Sequence, residues 1–234
     1  MGTVGGVRIG VLGGIGPEAS AEFYFKLIDR LQKTGLIRSN VDFPQIIINS
    51  IPAPELTEDK INDNDLEPYL SGLKELDKMG VDFIIMVCNT IHLYYEKLQK
   101  EVSVPIIDLR QELRNKILRE NVKSVLIIGT PNTIKRGLYR FDEVKCFEPN
   151  EEEIEELSRA IFNFNKGLDK EMQIEKVREI CGKYLKSGAE KVILGCTEFA
   201  VMFKESQMPK IDTIDVLVET VLDRFITLSE HKVR

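Results

Sequence analysis

The sequence predicts an α/β protein made of two similar doubly wound parallel-sheet domains related by pseudo-twofold symmetry. Three observations predict it. Short runs rich in Val and Ile alternate with longer amphipathic stretches, the pattern of consecutive βαβ units. Each short run is near-continuously apolar at its centre, as a strand buried on both faces of a parallel sheet would be. The second half of the chain also repeats the first, in order.

The elements follow from these patterns. Strands are expected at residues 7–12, 45–49, 82–87, 104–107, 123–128, 143–147, 191–194 and 210–212. Helices are expected at residues 18–32, 65–79, 93–100, 110–120, 151–164, 174–187 and 214–229. Gly80 and Gly188 each follow a helical pattern and supply its stop before the next strand. Pro105 and Pro209 stand at strand beginnings, where a missing N–H is tolerated. The acidic run at 151–156 reads as a solvated first helical turn, favoured by the helix dipole.

The repeat is specific in its details. Gly80-Val81-Asp82-Phe83-Ile84-Ile85-Met86-Val87-Cys88-Asn89-Thr90 resembles Gly188-Ala189-Glu190-Lys191-Val192-Ile193-Leu194-Gly195-Cys196-Thr197-Glu198. Val104-Pro105-Ile106-Ile107-Asp108 likewise resembles Met208-Pro209-Lys210-Ile211-Asp212, and the strand at 9–13 has its partner at 125–129. Three pairings in the same order make chance a poor account. The first domain is therefore expected to hold residues 1–107 plus 213–234, with the last helix closing back on it, and the second to hold 108–212. Asp108 and Asp212 are repeat-related and read as caps of the helices that follow them.

Composition narrows the function. The 234 residues are 43% hydrophobic and 30% charged, with a formal net charge of −6. That apolar fraction excludes wholesale disorder, and no apolar run approaches the ~20 residues that span a bilayer. No signal peptide is read at the N-terminus. The acidic balance argues against nucleic acid as a partner. Four cysteines without a Cys-x-x-Cys or a Cys/His cluster indicate neither a disulfide scaffold nor a zinc site. The expectation is a soluble cytoplasmic protein, no metal, and four thiols to account for.

The repeat divides those thiols. Cys88 and Cys196 fall at the same place in each half, the C-terminal end of a buried strand, and open α/β sheets bind ligands there. Two such halves facing each other would put one thiol on each wall of a single cleft. A lone strand-end cysteine usually just packs, but symmetric placement with polar followers favours a functional pair. Cys146, late in a strand, and Cys181, mid-helix, read as packing. A thiol has an ordinary pKa of ~8.5, so one cysteine could act as thiolate base and the other as thiol acid on the opposite face of a carbon. Proton removal from one side and return on the other inverts configuration, which is racemisation.

These residues carry a resemblance. Cys88-Asn89-Thr90 and Gly195-Cys196-Thr197-Glu198, with Gly10-Val11-Leu12-Gly13-Gly14-Ile15-Gly16-Pro17 near the start, resemble the aspartate/glutamate racemase superfamily, most closely its aspartate racemase branch. The resemblance covers nearly the whole chain. It implies two α/β domains around a cleft, racemisation without pyridoxal phosphate or any other cofactor, a small acidic amino-acid substrate and a homodimer. Cys88 and Cys196 would be the proton-transfer pair. Asn89, Thr90 and Thr197 would line the α-carboxylate and amino site. Thr130 and Thr133 match the family's threonine-rich loop, and Lys166 falls where a lysine for a substrate carboxylate would stand. Similar aspartate racemases often carry an arginine in the loop after the second strand. Here that loop reads Asn49-Ser50-Ile51-Pro52-Ala53-Pro54-Glu55-Leu56-Thr57, without arginine or lysine, so Lys166 is the main candidate for a second carboxylate.

Other signals are read more simply. His92, four residues after Cys88, could tune its thiolate, or it is a surface or capping residue. Glu198 could orient Cys196 or keep it protonated, or it is a helix N-terminal acid. Gly14-Ile15-Gly16-Pro17-Glu18-Ala19 fits the dinucleotide fingerprint and makes a nicotinamide-dependent oxidoreductase the runner-up. Pro17, Glu18 and the absence of an acid after the second strand count against it. A racemase-fold binding protein without turnover is a further alternative.

Overall fold

Two parallel sheets face each other through the ends of their strands. The computed structural model describes residues 6–54, 56 and 63–232. The first sheet holds β1 (Arg8–Gly13), β2 (Gln45–Ser50) and β3 (Phe83–Met86) in the order β2-β1-β3. The second holds β4 (Ser124–Gly129), β5 (Lys145–Phe147), β6 (Lys191–Gly195) and β7 (Lys210–Asp212) in the order β5-β4-β6-β7. Every pairing is parallel, so each connection must cross over the sheet, and helices make most of the crossings.

Those helices are α1 (Pro17–Lys33), α2 (Asp63–Lys78), α3 (Tyr95–Gln99), α4 (Leu109–Arg119), α5 (Pro131–Lys135), α6 (Glu151–Asn165), α7 (Lys170–Lys186), α8 (Thr197–Met202) and α9 (Thr213–Lys232). In α1, Pro17 takes an early position where its missing N–H is harmless. Its buried residues Ala19, Phe23, Leu27 and Leu31 recur every fourth position and form one stripe against the core. Glu151, Glu152 and Glu153 occupy the first turn of α6, and Asn150 caps it with a reciprocal bond from Glu153. Asp108 accepts from the Arg110 N–H at 3.0 Å, and Asp212 from the Ile214 N–H at 2.8 Å, so both repeat-related acids cap helices.

The two sheets match strand for strand, with one difference. The stretch expected as a strand at 104–107 joins β3 only through a single bridge, Ile84 to Ile106. Pro105 donates no N–H, and the ladder there is reduced to the Ile84 N–H to Pro105 carbonyl and Ile107 N–H to Ile84 carbonyl bonds. Its repeat mate β7 forms a full short strand. A second expectation also changes. β2 is not buried on both faces, because it is an edge strand, and Ile48 on it is 39% exposed. The helix expected over 93–100 starts as a tight 3₁₀ turn, Thr90–Tyr94, and becomes helical only at α3. The short helix α5 lies outside the expected helices, and α8 corresponds only to the reading of Glu198 as a helix N-terminal acid. Both start directly after the C-terminal ends of the central strands β4 and β6 and so face the cleft. The final helix α9 packs on both α1 and α4, bridging the halves.

Candidate active site

An opening into the protein lies between the two sheets, at the C-terminal ends of their strands. It is a cavity of about 200 Å³ lined by both cysteine segments, the β1–α1 turn, the loop carrying Ala53 and Leu56, Thr130, and Ile161 and Asn165 of α6. Cys88 stands just beyond β3 and Cys196 just beyond β6, each at the repeat-equivalent position, and both line this one space. All four thiols are free, and neither Cys146 nor Cys181 lines the cavity.

The site grows out of strand ends. Gly195 and Gly129 lie in register on adjacent strands. A Cβ on Gly195 would come within 2.6 Å of the Ile128 carbonyl, so the chain can pass here only as glycine. Thr130 begins α5 by accepting the Thr133 N–H at 3.2 Å, with Pro131 next. The Thr90 hydroxyl reaches across from the first half and lies 3.0 Å from that of Thr130 and 3.1 Å from that of Thr133. The three hydroxyls form one buried cluster. Thr90 and Thr130 line the cavity, and Thr133 stands behind them.

Asn89 is more committed than the sequence suggested. Its Oδ1 accepts a short bond from the Tyr139 hydroxyl and its Nδ2 donates to Thr213 Oγ1 at 3.1 Å. Thr213 in turn donates to the Leu194 carbonyl at 2.9 Å. Asn89 thus lines the cavity and at the same time ties the first half to the second. Tyr139 and Thr213 carried no signal in the sequence, since their contacts with Asn89 span 50 and 124 residues of chain.

Glu198 is a central group of the cavity. Cys196 Sγ donates to its Oε2 at 2.8 Å, Thr197 Oγ1 to the same oxygen at 3.3 Å, and Asn165 Nδ2 to its Oε1 at 3.1 Å. The β1–α1 turn must make room for it. Gly16 has φ 84, and a Cβ there would sit 2.6 Å from Glu198 Oε1. The glycine turn that resembles a dinucleotide fingerprint is therefore a close-approach turn. Glu18 and Glu198 both line the space beside it, so negative charge stands where a pyrophosphate would dock.

Burial dominates the thiol chemistry. It pushes the Cys88 thiol up to about 12, with the Glu198 carboxylate adding to the rise. Backbone N–H groups of Ile91 and Thr90 oppose it by favouring the thiolate. Cys196 is raised well above its ordinary value, first by burial and then by Glu198 beside it. Both thiols are protonated in the empty cleft at neutral pH.

Two residues expected at the site stand elsewhere. Lys166 ends α6, and its Nζ lies 4.0 Å above the Phe162 ring instead of in the cavity lining. Asn165, its neighbour, points inward in its place. Ile161 and Asn165 are four apart on α6 and share its inner face, a signal readable from the sequence, whereas Lys166 falls on the outer side. His92 does not line the cavity either. It is fully buried on the 3₁₀ turn, and its Nδ1 faces Asp108 Oδ1 at 3.9 Å. Thr197 does line the cavity. Of the loop after β2, Ala53 and Leu56 form part of the wall, and the Leu56 carbonyl accepts from Asn132 Nδ2 at 2.9 Å. Glu55 and Thr57 lie outside the described residues.

Fold and site together define a class: a two-domain parallel α/β protein with a thiol on each wall of one cleft. Comparison with known proteins gives the family. The Asp/Glu/Hydantoin racemase family model matches residues 12–221. A broad specificity amino-acid racemase of Bacillus subtilis, RacX, is 26% identical over 227 residues, covering 93% of this chain and 98% of that one. The structure of an aspartate racemase homologue from Pyrococcus horikoshii superposes with a TM-score of 0.70 at 28% identity, covering 95% and 99% of the two chains. That of the Picrophilus torridus aspartate racemase gives 0.77 over 94% of each, at an identity of 21% that speaks to fold alone. The chain belongs to the Asp/Glu/hydantoin racemase family and is a racemase by class. Among the described residues, no helix is long and apolar enough to cross a membrane.

Proposed function

We propose that the protein racemises a free α-amino acid without a cofactor, with Cys88 and Cys196 as the two proton-transfer groups. The observation that carries this reading is the placement of both thiols in one buried cavity, at equivalent ends of the two repeats. A substrate α-carbon lying between them presents one face to each sulfur.

The chemistry balances with these groups alone. The substrate ammonium brings a positive charge into the cleft and lowers the cost of a thiolate there. As the substrate ammonium binds, Cys88 releases its proton to solvent, and the resulting thiolate, favoured by the Thr90 and Ile91 N–H groups, removes the α-proton and becomes a thiol. Negative charge passes to the substrate carboxylate, held by the hydroxyls of Thr90, Thr130 and Thr197. The Cys196 thiol then delivers its proton to the opposite face and becomes the thiolate. Glu198 accepts the S–H hydrogen bond, which orients Cys196 and keeps it protonated until the transfer. The reverse direction exchanges the two sulfurs' roles.

The test is α-proton exchange. Wild-type protein in D₂O should incorporate deuterium at Cα of at least one amino acid as its optical rotation decays. Cys88→Ala and Cys196→Ala should each lower racemisation by 10²-fold or more, the scale of a lost acid or base, while Cys146→Ala should keep it. Full racemisation by either cleft variant would refute the two-thiol assignment. Ligand-induced stabilisation without any exchange would favour a binding protein on a racemase fold.

A further inference from the structure

Two buried hydroxyls outside the cavity lining join the two thiol segments. Tyr139 and Thr213 are both fully buried, and each touches the chain beside one cysteine and the chain beside the other. Tyr139, in the turn after α5, donates to Asn89 Oδ1, and Asn89 directly follows Cys88. Its ring lies over Gly195, which directly precedes Cys196: a Cβ on that glycine would stand 3.4 Å from the ring. Thr213, the first residue of α9, accepts from Asn89 Nδ2 at 3.1 Å and donates to the Leu194 carbonyl at 2.9 Å, two residues before Cys196. The direction of each bond follows. A carbonyl only accepts, so the Thr213 hydroxyl spends its proton on Leu194 and offers Asn89 a lone pair. Asn89 must then turn its NH₂ group to Thr213 and its oxygen to Tyr139, which must donate. A flipped amide would set oxygen against oxygen at Thr213. Tyr139 keeps the proton this needs, because burial first, and then Cys88, Asp108 and Cys196 nearby, hold the phenol well above its ordinary value.

We infer that Tyr139 and Thr213 are positioning residues that fix the separation of the Cys88 and Cys196 sulfurs across the cleft. The inference rests on the two-thiol racemase reading and deepens it by naming what holds the pair in place. Inversion needs both sulfurs at their working distance from one α-carbon, and a displacement of about 1 Å can cost on the order of 10²-fold in rate. The two strand ends belong to different sheets, so no shared ladder sets that distance. The Asn89 amide, held from both sides by groups that also touch Leu194 and Gly195, supplies the link.

Tyr139→Phe keeps the ring over Gly195 and removes the bond to Asn89, and Thr213→Val removes the bonds on the other side. In D₂O, with an amino acid that the wild type racemises, each variant should lower kcat at least tenfold and change KM less than threefold. Each should also raise the ratio of α-deuterium in the unconverted isomer to inversion, at least threefold from one of the two enantiomers. A misplaced thiol delivers its proton late, so the carbanion is reprotonated on the face it left, after the thiol there has exchanged with solvent. Thr213→Ser keeps the hydroxyl and should stay within threefold of wild type on every measure. An unchanged ratio, with exchange and inversion falling together, would make the pair merely structural and overturn the inference while the racemase reading stands. A rise in KM with kcat kept would overturn it too. If the wild type exchanges no amino acid, the racemase reading fails, and the spacing is read from the thiols directly. In a Cys146→Ala background, bis-methanethiosulfonate cross-linkers of graded length should join Cys88 to Cys196 over a narrow range of lengths, and Tyr139→Phe should widen that range. The same range in both, or no cross-link at any length, would overturn the inference.

Discussion

His92 makes acid stability a sharp test of how this core is built. The imidazole is fully buried, and neither ring nitrogen has a well-formed hydrogen-bond partner, the Met86 backbone beside it favouring the charged ring only weakly. Burial lowers its pKa from 6.5 to about 4, although the Asp108 carboxylate 3.9 Å away pulls the other way. Above pH 6.5 neither the folded nor the unfolded chain protonates this ring, so its full contribution to stability is present. As the pH falls below 6.5, only the unfolded chain takes up the proton, and stability drains away until the folded ring protonates near 4. At ~1.36 kcal/mol for each pH unit of separation, the loss is roughly 2 kcal/mol by about pH 5 and about 3 kcal/mol in full. His92→Leu, close in volume and without the two unpartnered nitrogens, should be at least as stable at neutral pH. Urea unfolding at neutral pH and at about pH 5 should show the wild type losing roughly 2 kcal/mol more than the variant, because Asp108, held below its ordinary value, stays ionised over this range and the remaining titrating groups are common to both. Equal losses would mean that the ring is solvated or hydrogen-bonded, and the reasoning from burial would fail.

Other contacts give further expected outcomes. Gly16→Ala should cut racemisation at least tenfold with little loss of binding, because a Cβ there meets Glu198 Oε1 at 2.6 Å and must displace it from Cys196; unchanged kcat would show that Glu198's position does not matter. Thr130→Val removes the cap of α5 and one member of the hydroxyl cluster, and should lower stability by about 1–2 kcal/mol in urea unfolding. Lys26→Met leaves the buried Asp212 without its 2.7 Å partner and should destabilise by about 1–3 kcal/mol, read as a lower Tm. Cys181→Ala should cost about 1 kcal/mol or so of stability, a small packing loss, while leaving turnover intact.

Much of the fold was written locally in the chain, and the exceptions have definite causes. Fully buried strands such as β3, β4 and β6 announce themselves as apolar runs, and Gly80 and Gly188, both at positive φ, mark the stops before β3 and β6. β2 also reads as an apolar run, yet it is an edge, and edge position depends on strand order, which a run does not encode. The stretch 104–107 has strand composition, but Pro105 cannot donate, so the ladder stops at one bridge. The short helix α5 was readable in hindsight from Thr130 as cap and Pro131 behind it, whereas α8 opens on Cys196, a residue with no capping bond. At the site, the repeat located Cys88, Cys196, Thr90 and Thr197 because equivalent strand ends must face one cleft. The repeat could not locate Asn165, because it does not encode the inward face of α6; the four-residue spacing of Ile161 and Asn165 does, and one residue of helix rotation separates Asn165 from Lys166.

That single residue decides what stands beside Glu198. With the inward position at the end of α6 taken by an amide, Asn165 donates to Glu198 and holds the carboxylate against Cys196. A lysine there would neutralise Glu198 and ease the loss of the Cys196 proton. The amide instead leaves Glu198 to raise the thiol further above its ordinary value. The consequence is an asymmetric pair within a symmetric fold. Cys196 has an acid beside it that favours the thiol, while Cys88 has backbone N–H groups that favour the thiolate. In the proposed reaction the substrate ammonium would supply the charge that brings the two within reach of each other.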